Sequence, residues 1–275
     1  MAELFGSGAF APKEIAERVE TVGVAKARLP LLSMCLLGVL AGGFIGLGAL
    51  YYVVVISDHT LGFATARVLG GVCFSLGLLL VVVAGAELFT GNNLLVMAWA
   101  DGKLSTWEVL RNWTVVCIAN FVGAAGLAGL VFLSGHAEMN GGAIGKTYLD
   151  IALAKSTLPA WTAFFRGMMC NVLVCMAVWM TFAGRSVMDK FIAIVFPVSA
   201  FVAAGFEHSI ANMYLILLAI MLKTSGTGLP VAYDAIGIAG MMHSLLPVIV
   251  GNIVGGTVLV ALIYHIIYRR PGLKP

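Results

Sequence analysis

The residues able to do chemistry fall into one pattern that occurs twice. Glu87-Leu88-Phe89-Thr90-Gly91-Asn92 and Glu207-His208-Ser209-Ile210-Ala211-Asn212 both read Glu, four residues, Asn. Each follows a long apolar run and precedes a shorter one. A carboxylate, a hydroxyl or imidazole, and an amide are expensive in hydrocarbon, and they persist where they line a cavity or are buried in protein. His208 is the one histidine beside such a break, and imidazole exchanges protons near neutral pH. Thr90 can cap a half-helix, line a pore, or do both. Glu207 is placed to tune the charge around His208, while Glu87 reads as an acceptor for loop amides. Asn92 and Asn212 open the second half-helices and are expected to cap them. Half-helix N-termini carry partial positive charge and free amides, so two of them facing one point attract anions. Lys155 adds a full positive charge if it packs near Glu207; otherwise it is an exposed loop lysine.

The elements that must hold these groups are membrane helices. Of the 275 residues, 61% are hydrophobic and 11% charged, against about 25% charged in soluble domains. Apolar runs mark six spans, at about 29–56, 66–100, 110–134, 158–183, 190–222 and 239–268. A simple span needs about 20 apolar residues. Spans two and five are longer, as expected of a helix, a break (88–92 and 205–210) and a second half-helix. Residues 11–27 place Ile15, Val19 and Val22 on one stripe, which predicts an amphipathic helix at the membrane surface or against the bundle. The first 28 residues lack an apolar core, so no cleavable signal is expected. An arrangement with both termini inside puts Lys13, Arg18, Lys26, Arg28, Lys103, Arg111, Arg185, Lys190, Arg269, Arg270 and Lys274 on the cytoplasmic side. Arg67, Lys146, Lys155, Arg166 and Lys223 fall elsewhere. This bias follows the positive-inside rule. The predicted organisation is an N-terminal amphipathic segment, 1–28, a six-span pore domain, 29–268, and a cytoplasmic tail, 269–275. Trp99, Trp107, Trp113, Trp161 and Trp179 lie mostly near span ends, where interfacial aromatics belong.

The two halves share more than the breaks. Span three contains Asn120-Phe-Val-Gly123 and span six Asn252-Ile-Val-Gly255. Three spans per half means the halves insert with opposite topology, an inverted repeat with its site at the interface. Gly38, Gly42, Gly46, Gly251 and Gly255 recur at four-residue spacing and read as close helix packing. The five cysteines sit in apolar runs and read as small buried hydrophobes. The chain carries no H-E-x-x-H, G-x-S-x-G or Cys/His cluster, so an enzyme is disfavoured. Scattered basic residues give no nucleic-acid surface. No metal or other cofactor is expected.

Three segments resemble the formate/nitrite transporter family, most of all its formate-channel branch. They are Ala86-Glu87-Leu88-Phe89-Thr90, Cys170-Asn171-Val-Leu-Val174-Cys175-Met-Ala-Val-Trp179 and Gly205-Phe206-Glu207-His208-Ser209-Ile210-Ala211-Asn212-Met213. The resemblance runs over nearly the whole chain. It implies an all-α membrane protein with six transmembrane helices in an aquaporin-like inverted repeat, spans two and five interrupted. It implies a homopentamer in the bacterial inner membrane, each protomer conducting small monovalent anions or their acids, formate first, with nitrite or hydrosulfide as the alternative. By resemblance, Leu88-Phe89-Thr90 packs against His208, and Asn171, Lys155, Glu207 and Asn252 surround the centre. Leu88, Phe89 and Val174 would form a cytoplasmic constriction; Phe74, Leu78 and Phe201 would form a periplasmic one. Read without the family, these apolar residues are ordinary membrane-core packing.

Overall fold

The computed structural model describes residues 9–226 and 230–269. All regular structure among them is helical. Helix α1 (Pro12–Ala27) leads into α2 (Leu31–Ile56) and α3 (Phe63–Leu80), which continues through a widened turn, Val81–Gly85. After a break, a short tight helix, Gly91–Leu95, joins α4 (Val96–Ala100) and then α5 (Thr106–Leu133). The second half repeats this order: α6 (Ala143–Ser156), α7 (Ala160–Thr181), α8 (Val187–Ala203), α9 (Ser209–Ser225), and α10 (Ile238–Gly256), which runs on through Thr257–Leu262 into α11 (Ile263–Tyr268).

Five helices are long and apolar enough to cross a membrane: Leu31–Ile56, Phe63–Gly85, Thr106–Leu133, Ala160–Thr181 and Ile238–Tyr268. Ser209–Ser225 is a shorter apolar helix. Their ends follow local rules. Ser105 accepts from the Glu108 amide while Glu108 reaches back to the Ser105 amide, and Ser186 and Asp189 do the same at α8. Pro30 and Pro159 precede α2 and α7, where no helical amide is needed.

Both breaks are helix stops of one kind. The Ala86 amide bonds the Val81 carbonyl at 2.9 Å and the Phe206 amide bonds the Phe201 carbonyl at 3.0 Å. This six-to-one closure requires a left-handed residue between them, and glycine supplies it: Gly85 at φ +86 and Gly205 at φ +74. The non-helical segments are 86–90 and 204–208, slightly earlier than the expected 88–92 and 205–210. Glycine set these boundaries, not the polar residues that follow.

Helix α1 packs against the bundle. Ile15, Ala16 and Val19 are buried with Leu94, Met97 and Trp179, while Val22 is only half-buried. Glu20 is fully buried on the same face, paired with Lys103 at 2.6 Å and Arg269 at 3.0 Å. The amphipathic face therefore holds a charge as well as apolar side chains. The glycine stripes are close contacts: a Cβ on Gly123 would lie 1.9 Å from the Val39 carbonyl, and one on Gly255 2.1 Å from that of Met168. The tryptophans divide. Trp107 and Trp161 are exposed in the first turns of α5 and α7, but Trp179 is buried against Tyr264 and Trp113 donates to the Asn92 carbonyl. Arg270, Lys274, residues 1–8 and most of the expected tail lie outside the described residues.

Candidate functional site

Each break carries the same side-chain network. In the first half, Lys26 Nζ lies 2.7 Å from Glu87 Oε1, and Asn92 Nδ2 donates to Glu87 Oε2 at 2.7 Å and to Asn112 Oδ1 at 2.9 Å. In the second, Lys155 Nζ lies 2.6 Å from Glu207 Oε2, and Asn212 Nδ2 donates to Glu207 Oε2 at 2.7 Å and Ser244 Oγ at 3.3 Å. A buried carboxylate needs such a partner set to stay charged. Lys155 is thus no loop lysine; it sits at the end of α6 with its ammonium on Glu207.

Two asparagines bracket the breaks. Asn120 accepts from the Phe89 amide at 2.9 Å and donates to the carbonyls of Gly38 at 2.7 Å and Glu87 at 2.9 Å. Asn252 accepts from the Ser209 amide at 3.1 Å and donates to the carbonyls of Gly167 at 2.8 Å and Glu207 at 3.1 Å. A side-chain amide offers both donors and an acceptor, which is what non-helical backbone inside a core requires. Asn171 donates to the carbonyls of Thr90 at 3.2 Å and Asn252 at 2.7 Å, tying the two breaks together.

At the meeting point Thr90 Oγ1 lies 3.1 Å from His208 Nε2. His208 is the residue preceding α9, and its Nδ1 accepts from the Ala211 amide at 3.2 Å. An accepting Nδ1 leaves the ring proton of the neutral imidazole on Nε2, aimed at Thr90. Both residues are buried.

Two cavities approach this contact, the first reaching Leu88 and Gly91 on either side of Thr90 and the second reaching His208 itself. One of about 610 Å³ is lined by Lys26, Glu87, Leu88, Asn92, Leu78 and Lys190, among others. The other, about 220 Å³, is lined by Lys155, Glu207, His208, Phe74, Phe201 and two arginines, Arg67 and Arg166. Phe201 stacks on His208 at 6.0 Å between ring centroids and meets Phe74 edge-on at 5.7 Å.

Several expectations change. Asn92 and Asn212 do not cap: the imidazole of His208 caps α9, and both carboxamides turn inward to a glutamate. Asn212 lies a full turn inside its helix, too far along to reach the free amides. Glu87 takes side-chain donors, and the loop amide goes to Asn120. The apolar group expected as one constriction divides, because Leu78, one turn past Phe74 on α3, faces the first cavity with Leu88, whereas Phe74 and Phe201 face the second. Phe89 and Val174 are buried in the core and line neither of these cavities. Lys26, Asn112 and Ser244 were not singled out as site residues. Asn120 stood only as a repeat marker, although its match to Asn252 was the signal that could have found it.

The sequence matches the family model described as Formate/nitrite transporter over residues 13–266. It is 39% identical over 271 residues to Formate channel FocA of Escherichia coli (strain K12), covering 94% of each chain. It is 35% identical over 265 residues to Formate channel FocA of Haemophilus influenzae, covering 92% of each. Among solved structures it is similar to a pentameric formate channel with formate bound, with a TM-score of 0.80 and 38% identity over 87% of this chain and 98% of that one. These relatives are channels, not enzymes, and the chain is a membrane protein of the formate/nitrite transporter family.

Proposed function

We propose that the protein carries formate across the bacterial inner membrane as a homopentamer of six-span inverted-repeat pores, both termini cytoplasmic. Spans two and five are interrupted, residues 1–28 form an amphipathic segment, 29–268 the pore, and 269–275 the tail. The observation that carries this reading is the Thr90–His208 contact of 3.1 Å, with His208 on the wall of one cavity, the neighbours of Thr90 on the wall of the other, and a lysine on each. The relatives named as formate channels favour formate over other small anions.

The ammonium groups of Lys155 and Lys26 draw a small anion into either cavity. Phe74, Leu78, Phe201 and Leu88 then resist it, because an ion there must shed water. Protonation removes the charge. The proton leaves Nε2 of an imidazolium His208 through the Thr90 hydroxyl to the carboxylate, giving the neutral acid and a neutral ring whose remaining proton is on Nδ1. That proton must leave to solvent and another return to Nε2 before Nδ1 can again accept from the Ala211 amide. Charging that ring first requires a proton on Nδ1, so the Ala211 amide must release it. Proton uptake is therefore coupled to loosening the first turn of α9.

The test is flux in proteoliposomes under a pH gradient, comparing formate, nitrite and hydrosulfide for the wild type and His208→Asn. Formate flux that responds to pH in the wild type and not in the variant supports the reading. Equal pH dependence in both overturns the role of His208. Dominant nitrite or hydrosulfide flux would replace formate as the substrate within the same family.

A further inference from the structure

Arg67, in the first turns of α3, lines the second cavity but takes no part in the proton path. Its guanidinium is committed to two backbone carbonyls and one hydroxyl. Nε donates to the Ala203 carbonyl at 3.1 Å, Nη2 to that of Val202 at 2.7 Å, and Nη1 to the Tyr52 hydroxyl at 3.0 Å. Val202 and Ala203 end α8. The last carbonyls of a helix form the negative end of its dipole; the Val202 carbonyl also accepts from the Gly205 amide at 3.1 Å, and that of Ala203 has the arginine as its donor. Here they stand at the lip of a cavity that also holds Lys155 and Arg166, directly before the turn that delivers Glu207 and His208. That turn touches the arginine: a Cβ on Gly205 would lie 3.0 Å from Nη2. The matching stop after α3 is built differently. Its last turn widens, and no side chain among the described residues donates to its final carbonyls.

We propose that Arg67 is a positioning residue for anion entry. Its charge cancels the carbonyl end of α8, which would otherwise repel an anion in the second cavity. Its planar fork, which an ammonium cannot imitate, fixes the turn that presents His208. This rests on the anion-channel reading.

The test is initial formate flux against concentration, at low and high salt, for pentameric wild type, Arg67→Gln and Arg67→Lys in vesicles oriented by a membrane-impermeant label. Arg67→Gln should raise the half-saturating concentration roughly tenfold, the upper range for a charge at a helix C-terminus, and weaken the salt sensitivity of entry, of which Lys155 and Arg166 retain a part. Arg67→Lys should recover the half-saturating concentration but not the maximal rate. An unchanged half-saturating concentration in Arg67→Gln overturns the proposal. So does an equal loss of maximal rate in both variants with affinity and salt dependence intact, since that is a purely structural clamp. Absence of wild-type formate flux would instead overturn the proposed function, whereas normal wild-type flux beside unaltered Arg67→Gln kinetics removes only Arg67.

Discussion

The two halves of the chain build the same cavity wall from equivalent positions and then differ at a few of them. Glu207 follows Glu87 by 120 positions, as Asn212 follows Asn92, Gly205 follows Gly85 and Phe201 follows Val81. All eight line their respective cavities. Lys155 follows Lys26 by 129, and Arg166 follows Leu37 by the same interval, again on the two walls. Helix α1 is thus the counterpart of α6: each supplies the ammonium for its half. At the next position the symmetry ends, with Leu88 in one half and His208 in the other. The scaffold is duplicated, and the proposed proton path draws one unmatched residue from each copy, Thr90 where the second half has Ile210 and His208 where the first has Leu88. What both copies share is support for a polar break and a lysine on each cavity wall, and what differs between them is the Thr90–His208 contact at the centre.

The sharpest test of the shared part is the bracketing asparagines. Asn120→Ala and Asn252→Ala each strand one carbonyl and one amide at a break in the core, since the Gly38 and Gly167 carbonyls keep their helical bonds, at about 1–3 kcal/mol per group. Both should lower the melting midpoint in detergent severely and to a similar degree. A large loss from one and almost none from the other would break the equivalence of the halves. Next come the carboxylates. The Lys155 side chain is 15% exposed against 29% for Lys26, so Glu207→Gln should destabilise more than Glu87→Gln, by up to about 3 kcal/mol where the partner charge stays buried. The reverse order in paired thermal melts would show that cavity exposure is not what separates the pairs. Gly123→Ala and Gly255→Ala should each cost about 1–3 kcal/mol, because backbone must move to admit the methyl group.

The smallest effect should distinguish α1 from α6. Helix α1 is held by Lys103, Arg269, Glu17 and Glu20, with Asp101 hydrogen-bonded to Lys103 at 2.8 Å. That bond from Lys103 holds the Asp101 carboxyl below its ordinary range. A lowered folded value means the contribution is present above the ordinary carboxylate pKa, about 3.9, and fades as pH falls toward the depressed one. Helix α6 is anchored by the uncharged Tyr148–Tyr214 hydroxyl pair at 2.9 Å and by the Lys155–Glu207 pair, whose lysine is more buried than Lys103. Below about pH 4, amide exchange should rise in α1 before α6, and Asp101→Asn should flatten that difference. Simultaneous loosening of both helices would show that these charges do not hold α1.

Much of this was legible in the residues themselves. Apolar run lengths located the long helices to within a few residues, because hydrocarbon thickness and backbone hydrogen bonding leave few alternatives. The repeated Glu-x4-Asn marked both breaks, since buried polar groups at that depth are otherwise excluded. Asn120 and Asn252 were visible as a pair, though not as brackets. The sequence by itself determined an all-helical membrane protein of this family with a polar centre and one histidine in it. The tertiary structure alone decided who meets whom. Lys26 reaches Glu87 across 61 positions and Phe89 reaches Asn120 across 31, while the meeting of Thr90 and His208 across 118 is one the resemblance already implies. Periodicity reports which side of a helix is buried; it carries no information on which distant donor arrives there. The tautomer of His208 follows from the Ala211 amide on Nδ1, and the Thr90 hydroxyl, able to donate or accept, then accepts the Nε2 hydrogen bond once both segments are folded against each other.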